Sequence, residues 1–100
     1  MRQSANFADA ITRLAGFHGL RPSELPRVLG VSGQAVSKWR TGRSEPGTAV
    51  LARTREVFEV DSIALLSEPF ASLLPVLCDE NRFVRVEERL RRERRALRTV

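Results

Sequence analysis

The stretch RPSELPRVLGVSGQAVSKWRTG, residues 21–42, contains two short apolar runs separated by a glycine. Within the runs, apolar residues recur at the three- and four-residue steps of a helical face. Gly30 lies between them, where a tight turn needs the positive φ that glycine adopts at little cost. The stretch therefore predicts two short helices joined by a turn. The apolar residues expected to anchor them to a core are Leu25, Leu29, Val31, Val36 and Trp39.

The rest of the chain continues this helical pattern, and no segment alternates strictly enough for a strand, so we predict an all-α fold. We expect residues 1–68 to form the globular domain and residues 69–100 to form a C-terminal helical attachment. Ser4 or Asn6 is expected to cap the first helix. Helices are predicted over residues 6–18, 23–29, 33–40, 48–58, a short stretch after Asp61, 70–78 and 81–97.

The third predicted helix exposes small and polar side chains that suit contact with DNA bases. Its outward residues are Gly33, Gln34, Ser37 and Lys38, and none of them is acidic. A glutamine can pair with the adenine edge, a lysine can donate to guanine, and a serine can contact either base. The glycine lets the backbone approach closely. We therefore predict these four residues as the base-reading set.

Basic and hydroxyl residues border this face where phosphates of the DNA backbone would lie. Their side chains and backbone amides are expected to hold those phosphates, and the start of the second helix offers a similar position. The predicted phosphate-contacting residues are Arg21, Ser23, Ser32, Arg40, Thr41, Arg43 and Ser44.

The charge of the chain is divided into blocks. Residues 21–43 carry five basic residues against Glu24 alone, and residues 82–100 carry eight arginines against three glutamates. Between them, residues 44–81 carry seven acidic residues and two arginines. The excess of basic residues thus lies in two segments, of which the first coincides with the predicted reading face, and the net charge of the whole chain is +5. Such segregation favours a nucleic-acid partner for one surface and a protein contact for another.

Several function classes find no support in the sequence. The apolar run Phe70–Leu77 is interrupted by Pro75, and the first ten residues lack the apolar core of a signal peptide. We therefore expect a cytoplasmic protein without a membrane partner. Phosphate loops, nucleophile motifs and metal-ligand spacings are lacking, so no enzyme activity, metal, cofactor or small-molecule ligand is expected. Cys78, the single cysteine, is expected to be a buried apolar residue.

Three motifs resemble the Xre family of helix-turn-helix regulators, which includes the phage Cro and cI repressors. They are LxxxLGVS over Leu25–Ser32, VSKWRTG over Val36–Gly42, and VFEVDSIALL over Val57–Leu66. The resemblance implies a five-helix DNA-binding domain in which the third helix reads the major groove, with double-stranded DNA as the partner. It places the base-reading positions on the four residues named above. Its phosphate-contacting positions correspond to Ser23, Arg40, Thr41 and Arg43. Pro26 and Gly33 depart from the family pattern.

The C-terminal helix carries a narrow apolar stripe formed by Phe83, Val86, Leu90 and Leu97. A stripe of this width is typical of a helix that faces one other helix. The facing helix is either a second copy of the chain or the chain's own segment 70–78, and we favour the dimer. The arginines of this helix are interpreted as a solvated face, with direct DNA contact as the alternative.

These features together predict a sequence-specific DNA-binding transcriptional regulator. A dimer would act on a pseudo-palindromic operator whose half-sites lie about 10–10.5 bp apart or a multiple of that distance. Two alternatives remain open. One is an architectural nucleoid protein of low specificity, and the other is a protein-interaction module, such as an antitoxin, that uses the same fold.

Overall fold

The computed structural model describes the backbone of residues 3–98 and the side chains of residues 3–96. Every regular element within these residues is helical, which confirms the predicted all-α fold. None of these helices has both the length and the apolar character that crossing a membrane requires. The elements are α1 (Gln3–Phe17), α2 (Leu25–Leu29), α3 (Gly33–Arg40), α4 (Thr48–Phe58), α5 (Ala64–Ser67), a 3₁₀ turn (Phe70–Leu73), α6 (Leu74–Leu77) and α7 (Glu80–Arg98).

Helix α1 forms the centre of the core. Its apolar face, which includes Phe7, Ile11 and Leu14, is fully buried against α3 and α5. The ring of Trp39 on α3 meets the ring of Phe7 edge to face at 5.4 Å between centroids. This geometry is the favoured one for an aromatic pair. The contact fixes α3 against α1 by one side and leaves its opposite side outside the core.

The turn between α2 and α3 has the predicted geometry. Gly30 has a φ of 75°, and the N–H of Val31 donates to the carbonyl of Pro26 at 2.9 Å. This bond and the left-handed glycine end α2 after little more than one turn. The predicted anchors of the two helices are buried, apart from Val31, which is partly buried.

Asn6 does not cap α1, because the helix begins at Gln3 and Asn6 lies inside its first turns. Its side-chain amide instead donates to the carbonyls of Leu65 at 2.8 Å and Glu68 at 2.9 Å. Those carbonyls belong to the end of α5, where backbone acceptors lack partners within the helix. Asn6 therefore fastens α5 to α1.

The segment 70–78 is not the single helix that its apolar pattern predicts. Pro75 has no N–H to donate, and its ring would collide with the carbonyl four residues earlier. The four residues before Leu74 accordingly form a 3₁₀ turn, and the α-helical turn α6 starts only there. Cys78 follows α6 and is exposed, so the expectation of a buried thiol is wrong.

Helix α7 packs against its own chain, which corrects the prediction of a dimer seam. Val86 is 0% exposed and Leu90 is 3% exposed, and both belong to the same core as α1. Phe83 is half-buried and stacks on His18 at 5.2 Å. Since α7 lies against α4 and α6, these side chains are not available to a second copy. The side chain of Leu97, the fourth predicted seam residue, lies outside the described residues.

A buried guanidinium joins α7 to the end of α4. Arg82 donates to the carbonyl of Phe58, the last residue of α4, from Nε at 3.1 Å and from Nη2 at 2.8 Å. Its Nη2 also lies 3.1 Å from Nε2 of His18, whose Nδ1 is 2.7 Å from a carboxylate oxygen of Glu87. Because a guanidinium only donates, Nε2 accepts and Nδ1 carries the proton. The geometry therefore requires a neutral His18.

The residue after α4 shows how the chain tolerates a strained backbone there. Glu59 has a φ of 51°, in the left-handed region that favours glycine. Its carboxylate accepts hydrogen bonds from Arg85 at 2.8 Å and from Arg89 at 3.1 Å, both on α7. The bond from Arg85 is the main cause that lowers the pKa of Glu59. A glycine here would relieve the strain and lose both ion pairs.

Truncation of Leu90 should destabilise the monomer instead of dissociating a dimer. We expect Leu90→Ala to lower the free energy of unfolding by about 2–5 kcal/mol, because it opens a cavity in the core. Val84 lies on the same helix and is 53% exposed, so Val84→Ala should change stability by no more than about 0.5 kcal/mol. Urea unfolding followed by circular dichroism measures both. Equal losses in the two variants would contradict the packing of α7.

The neutral His18 predicts a stability that falls in mild acid. Burial is the largest influence and lowers the pKa of the imidazole below its ordinary value of 6.5, and the charge of Arg82 lowers it further, although Glu87 opposes both. The unfolded chain then binds a proton that the folded chain does not. The free energy of unfolding should therefore decrease as the pH falls below about 6.5.

His18→Gln keeps a donor and an acceptor in the side chain but does not titrate in this range. Urea unfolding at several pH values should show a flatter dependence for this variant than for the wild type. The same slope in both proteins would contradict the assignment of His18.

Candidate nucleic-acid interface

The outer face of α3 is a row of exposed polar side chains. Gln34, Ser37 and Lys38 are exposed, and within the described residues no hydrogen bond or ion pair engages their side chains. Val36 and Trp39 hold the opposite face in the core. Three of the predicted base-reading side chains are thus placed together with their donors and acceptors available.

Gly33 begins this face, at the first residue of α3. It is exposed, and a Cβ added to it would meet nothing within 4 Å. The glycine is therefore not required by the packing of the chain itself. Its effect is to leave the backbone of the first helical turn uncovered.

The N-terminus of α3 is capped by Ser32. The residue is extended, with ψ of 158°, and its Oγ accepts the N–H of Ala35 at 3.3 Å. This is the usual role of a serine before a helix. The hydroxyl that we predicted as a phosphate contact thus already accepts a hydrogen bond within the helix. It could still donate its own hydrogen to a phosphate.

The end of α3 corrects the prediction that backbone amides hold phosphates there. Gly42 has a φ of 76°, and the N–H of Arg43 donates back to the carbonyl of Lys38 at 2.8 Å. The amides of Thr41, Gly42 and Ser44 also donate to carbonyls of α3. These bonds close the helix in the Schellman arrangement. Phosphates could therefore be held at this end by side chains, not by the backbone.

A groove of about 540 Å³ separates the outer sides of α2 and α3. Arg40 reaches across its floor and donates to Oγ1 of Thr12 on α1 at 3.2 Å. Arg27 borders the groove on the α2 side, opposite Ser37 on α3. Neither Thr12 nor Arg27 was predicted as a site residue. In the sequence, the one indication for Arg27 is its position on α2, away from the apolar residues that are buried.

Glu24, the single acidic residue of segment 21–43, is neutralised by a distant part of the chain. Arg94 on α7 donates to its two carboxylate oxygens, from Nε and Nη2, at 3.1 Å each. The Nη2 group also donates to the carbonyl of Gly19 at 2.6 Å. The hydrogen bond from Arg94 is the largest cause that lowers the pKa of Glu24, and the bond from the N–H of Arg21 adds to it.

The result is a surface whose cations are not balanced by acids. In the part of the chain from residue 3 to residue 96, no acidic side chain forms an ion pair with the basic residues of segment 21–43. All five are exposed. They are Arg21, Arg27, Lys38, Arg40 and Arg43. Such a surface attracts the phosphate backbone irrespective of base sequence.

The predicted phosphate-contacting residues differ in what they can still offer to a phosphate. Arg21, Ser23 and Arg43 are exposed, whereas Ser44 is partly buried. Thr41 uses its hydroxyl to reach the carbonyls of α3 at 3.3 Å. Exposed arginine side chains are consequently most of what these positions could offer to a phosphate.

Comparison with protein-family models, with curated proteins and with solved structures finds no match to this chain. Among the described residues, no group of three or more His, Cys, Asp or Glu side chains is placed to hold a metal ion.

Proposed function

We propose that this chain is a DNA-binding transcriptional regulator of the Xre type, in which α3 lies in the major groove. The observation that carries the proposal is the outer face of α3. It is exposed, free of acids and without internal partners for Gln34, Ser37 and Lys38. Helices α1 to α5 would form the five-helix domain of Cro and cI repressors.

The chemistry of the face suits base recognition beside phosphate contact. The amide of Gln34 would pair with adenine and the ammonium of Lys38 with guanine. Arg43, at the end of α3, and Arg21, before α2, would each approach a phosphate and set the register of the helix in the groove. The buried pair of Trp39 and Phe7 supports this proposal because it orients α3 rigidly.

One observation favours a second candidate, a DNA-binding protein of low sequence specificity. Three side chains are available to read bases, Gly33 adds none, and segment 21–43 carries four further exposed cations besides Lys38. Phosphate contacts position a protein on DNA but carry no sequence information. Selection of bound sequences from random DNA separates the candidates, since a regulator enriches one motif and a general binder enriches none.

Substitutions on and beside α3 should have different effects. We expect Gln34→Ala or Lys38→Ala to cost roughly 1–3 kcal/mol on the selected site and little on random duplex. Arg43→Ala should weaken both duplexes alike and reduce the salt dependence of binding. Fluorescence anisotropy titrations measure all three. If the three variants lose the same affinity on both duplexes, α3 does not read bases.

The neutralisation of Glu24 should matter for DNA affinity. Arg94→Gln would leave the Glu24 carboxylate unpaired beside the start of α2, where it would repel a phosphate, so we expect several-fold weaker duplex binding at low salt. The double variant Arg94→Gln/Glu24→Gln should recover most of the loss, because the glutamine keeps an acceptor for the N–H of Arg21. Failure of the second substitution to recover any affinity would contradict this role.

A further inference from the structure

The structure describes the side chains of seven arginines of α7, and these fall into two groups by their contacts. Four of them reach other elements: Arg82 meets Phe58 and His18, Arg85 and Arg89 meet Glu59, and Arg94 meets Glu24. Three others are exposed and, within the described residues, form no ion pair or hydrogen bond. These are Arg91, Arg92 and Arg95.

The glutamates of α7 do not balance these three cations. Glu87 is engaged by His18 at 2.7 Å, and Glu93 is engaged by Arg53 on α4 at 2.7 Å. Glu88 is exposed, borders the same shallow cavity as the three arginines, and forms no ion pair with them. The outer face of α7 therefore carries an excess of positive charge that the fold leaves unused.

The contacts of neighbouring residues show which side of α7 each arginine occupies. Successive residues are about 100° apart around a helix. Arg94 points to the turn before α2, and Arg91, one turn earlier, is its neighbour on that side. Arg95 is adjacent on the outer surface. Arg92 lies towards α4, where it borders a cavity with Arg53.

The side of α7 that carries Arg91 and Arg95 adjoins the proposed DNA-binding surface. Arg94 and the N–H of Arg21 donate to the same carboxylate, that of Glu24, at 3.1 Å and 2.9 Å. The backbone of Arg21 is thus linked to Arg94 on α7 through a single carboxylate, that of Glu24. Arg91 and Arg95 therefore lie on the same side of α7 as Arg94, which reaches the carboxylate beside Arg21.

We propose that Arg91 and Arg95 are a second phosphate-contacting site, which binds the backbone of duplex DNA beside the site that α3 reads. The proposal rests on the proposed function, because it extends the same surface. The contact would be independent of base sequence, since a phosphate contact carries no sequence information. Helix α7 would then increase the affinity of a single chain for DNA, without the need for a dimer.

A charge-matched pair of variants tests this site in the full chain. Arg91→Gln/Arg95→Gln removes two charges from the side next to α2. Arg55→Gln/Arg92→Gln removes two exposed, unpaired arginines from the side of α4. The net charge of the two proteins is the same, so a difference between them reports position. Circular dichroism melts establish that each variant is folded.

Fluorescence anisotropy with a mixed-sequence duplex between about 50 mM and about 200 mM salt gives the slope of log K against log salt for each protein. We expect the slope of Arg91→Gln/Arg95→Gln to be smaller by about 1.8, for two lost phosphate contacts. The α4-side variant should keep the wild-type slope, and so should Arg91→Lys/Arg95→Lys, which retains both charges.

The outcomes separate this inference from the proposed function. Equal slopes for the wild type and the Arg91→Gln/Arg95→Gln variant would overturn the second site and leave the role of α3 intact. Equal reductions in the two glutamine variants would also overturn it, because net charge alone would then explain the effect. A wild-type chain that binds no duplex at any salt concentration would overturn both proposals together.

Discussion

The hydrogen bonds from Arg82 to the last carbonyl of α4 determine where the C-terminal helix lies. The carbonyl of Phe58 is one of the acceptors that a helix leaves without a partner at its end. A cation at this end also interacts favourably with the helix dipole. With Arg82 in place, the next turns of α7 bring Val86 and Leu90 into the core. About three turns after Arg82, the side chain of Arg94 meets Glu24. Burial of the guanidinium has a cost, since its Nη1 has no partner among the described residues.

The blocks of charge along the sequence have a structural explanation. The acidic segment 44–81 contains Glu59, which forms ion pairs with Arg85 and Arg89 of the second basic segment. The first basic segment receives no such partner from residues 44–81, and its own Glu24 is taken by Arg94. The fold therefore neutralises much of α7 and leaves the surface of α2 and α3 positive. The two basic segments therefore differ in how far their charges are paired, although they look alike in the sequence.

The local signals in the sequence were sufficient for the centre of the fold. Ser32, Gly30 and Gly42 mark where α3 begins and where α2 and α3 end, and each acts through its own backbone geometry or cap. The bounds of α3 and α4 are as predicted. Signals of this kind depend only on neighbouring residues, so they can be interpreted without knowledge of the tertiary structure.

The long-range contacts could not be predicted in the same way. The apolar stripe of Val86 and Leu90 has the same sequence pattern whether it faces a second copy or the core of its own chain. The structure shows that it faces the core of its own chain. The partnership of Arg94 with Glu24 spans 70 positions and has no sequence motif. The backbone amides after α3 donate to carbonyls of the helix itself, so they are not available to phosphates. The sequence predicted that a loop follows α3 but not how its amides would be used.

The most direct test of the central claim is a two-dimensional ¹⁵N NMR titration of the full chain with a short duplex. If α3 and its borders bind DNA, the largest amide shifts will occur at residues 33–44 and 21–24, while α5 stays nearly unchanged. Shifts concentrated on α5 and α6, or no shifts at a duplex excess, would contradict the account.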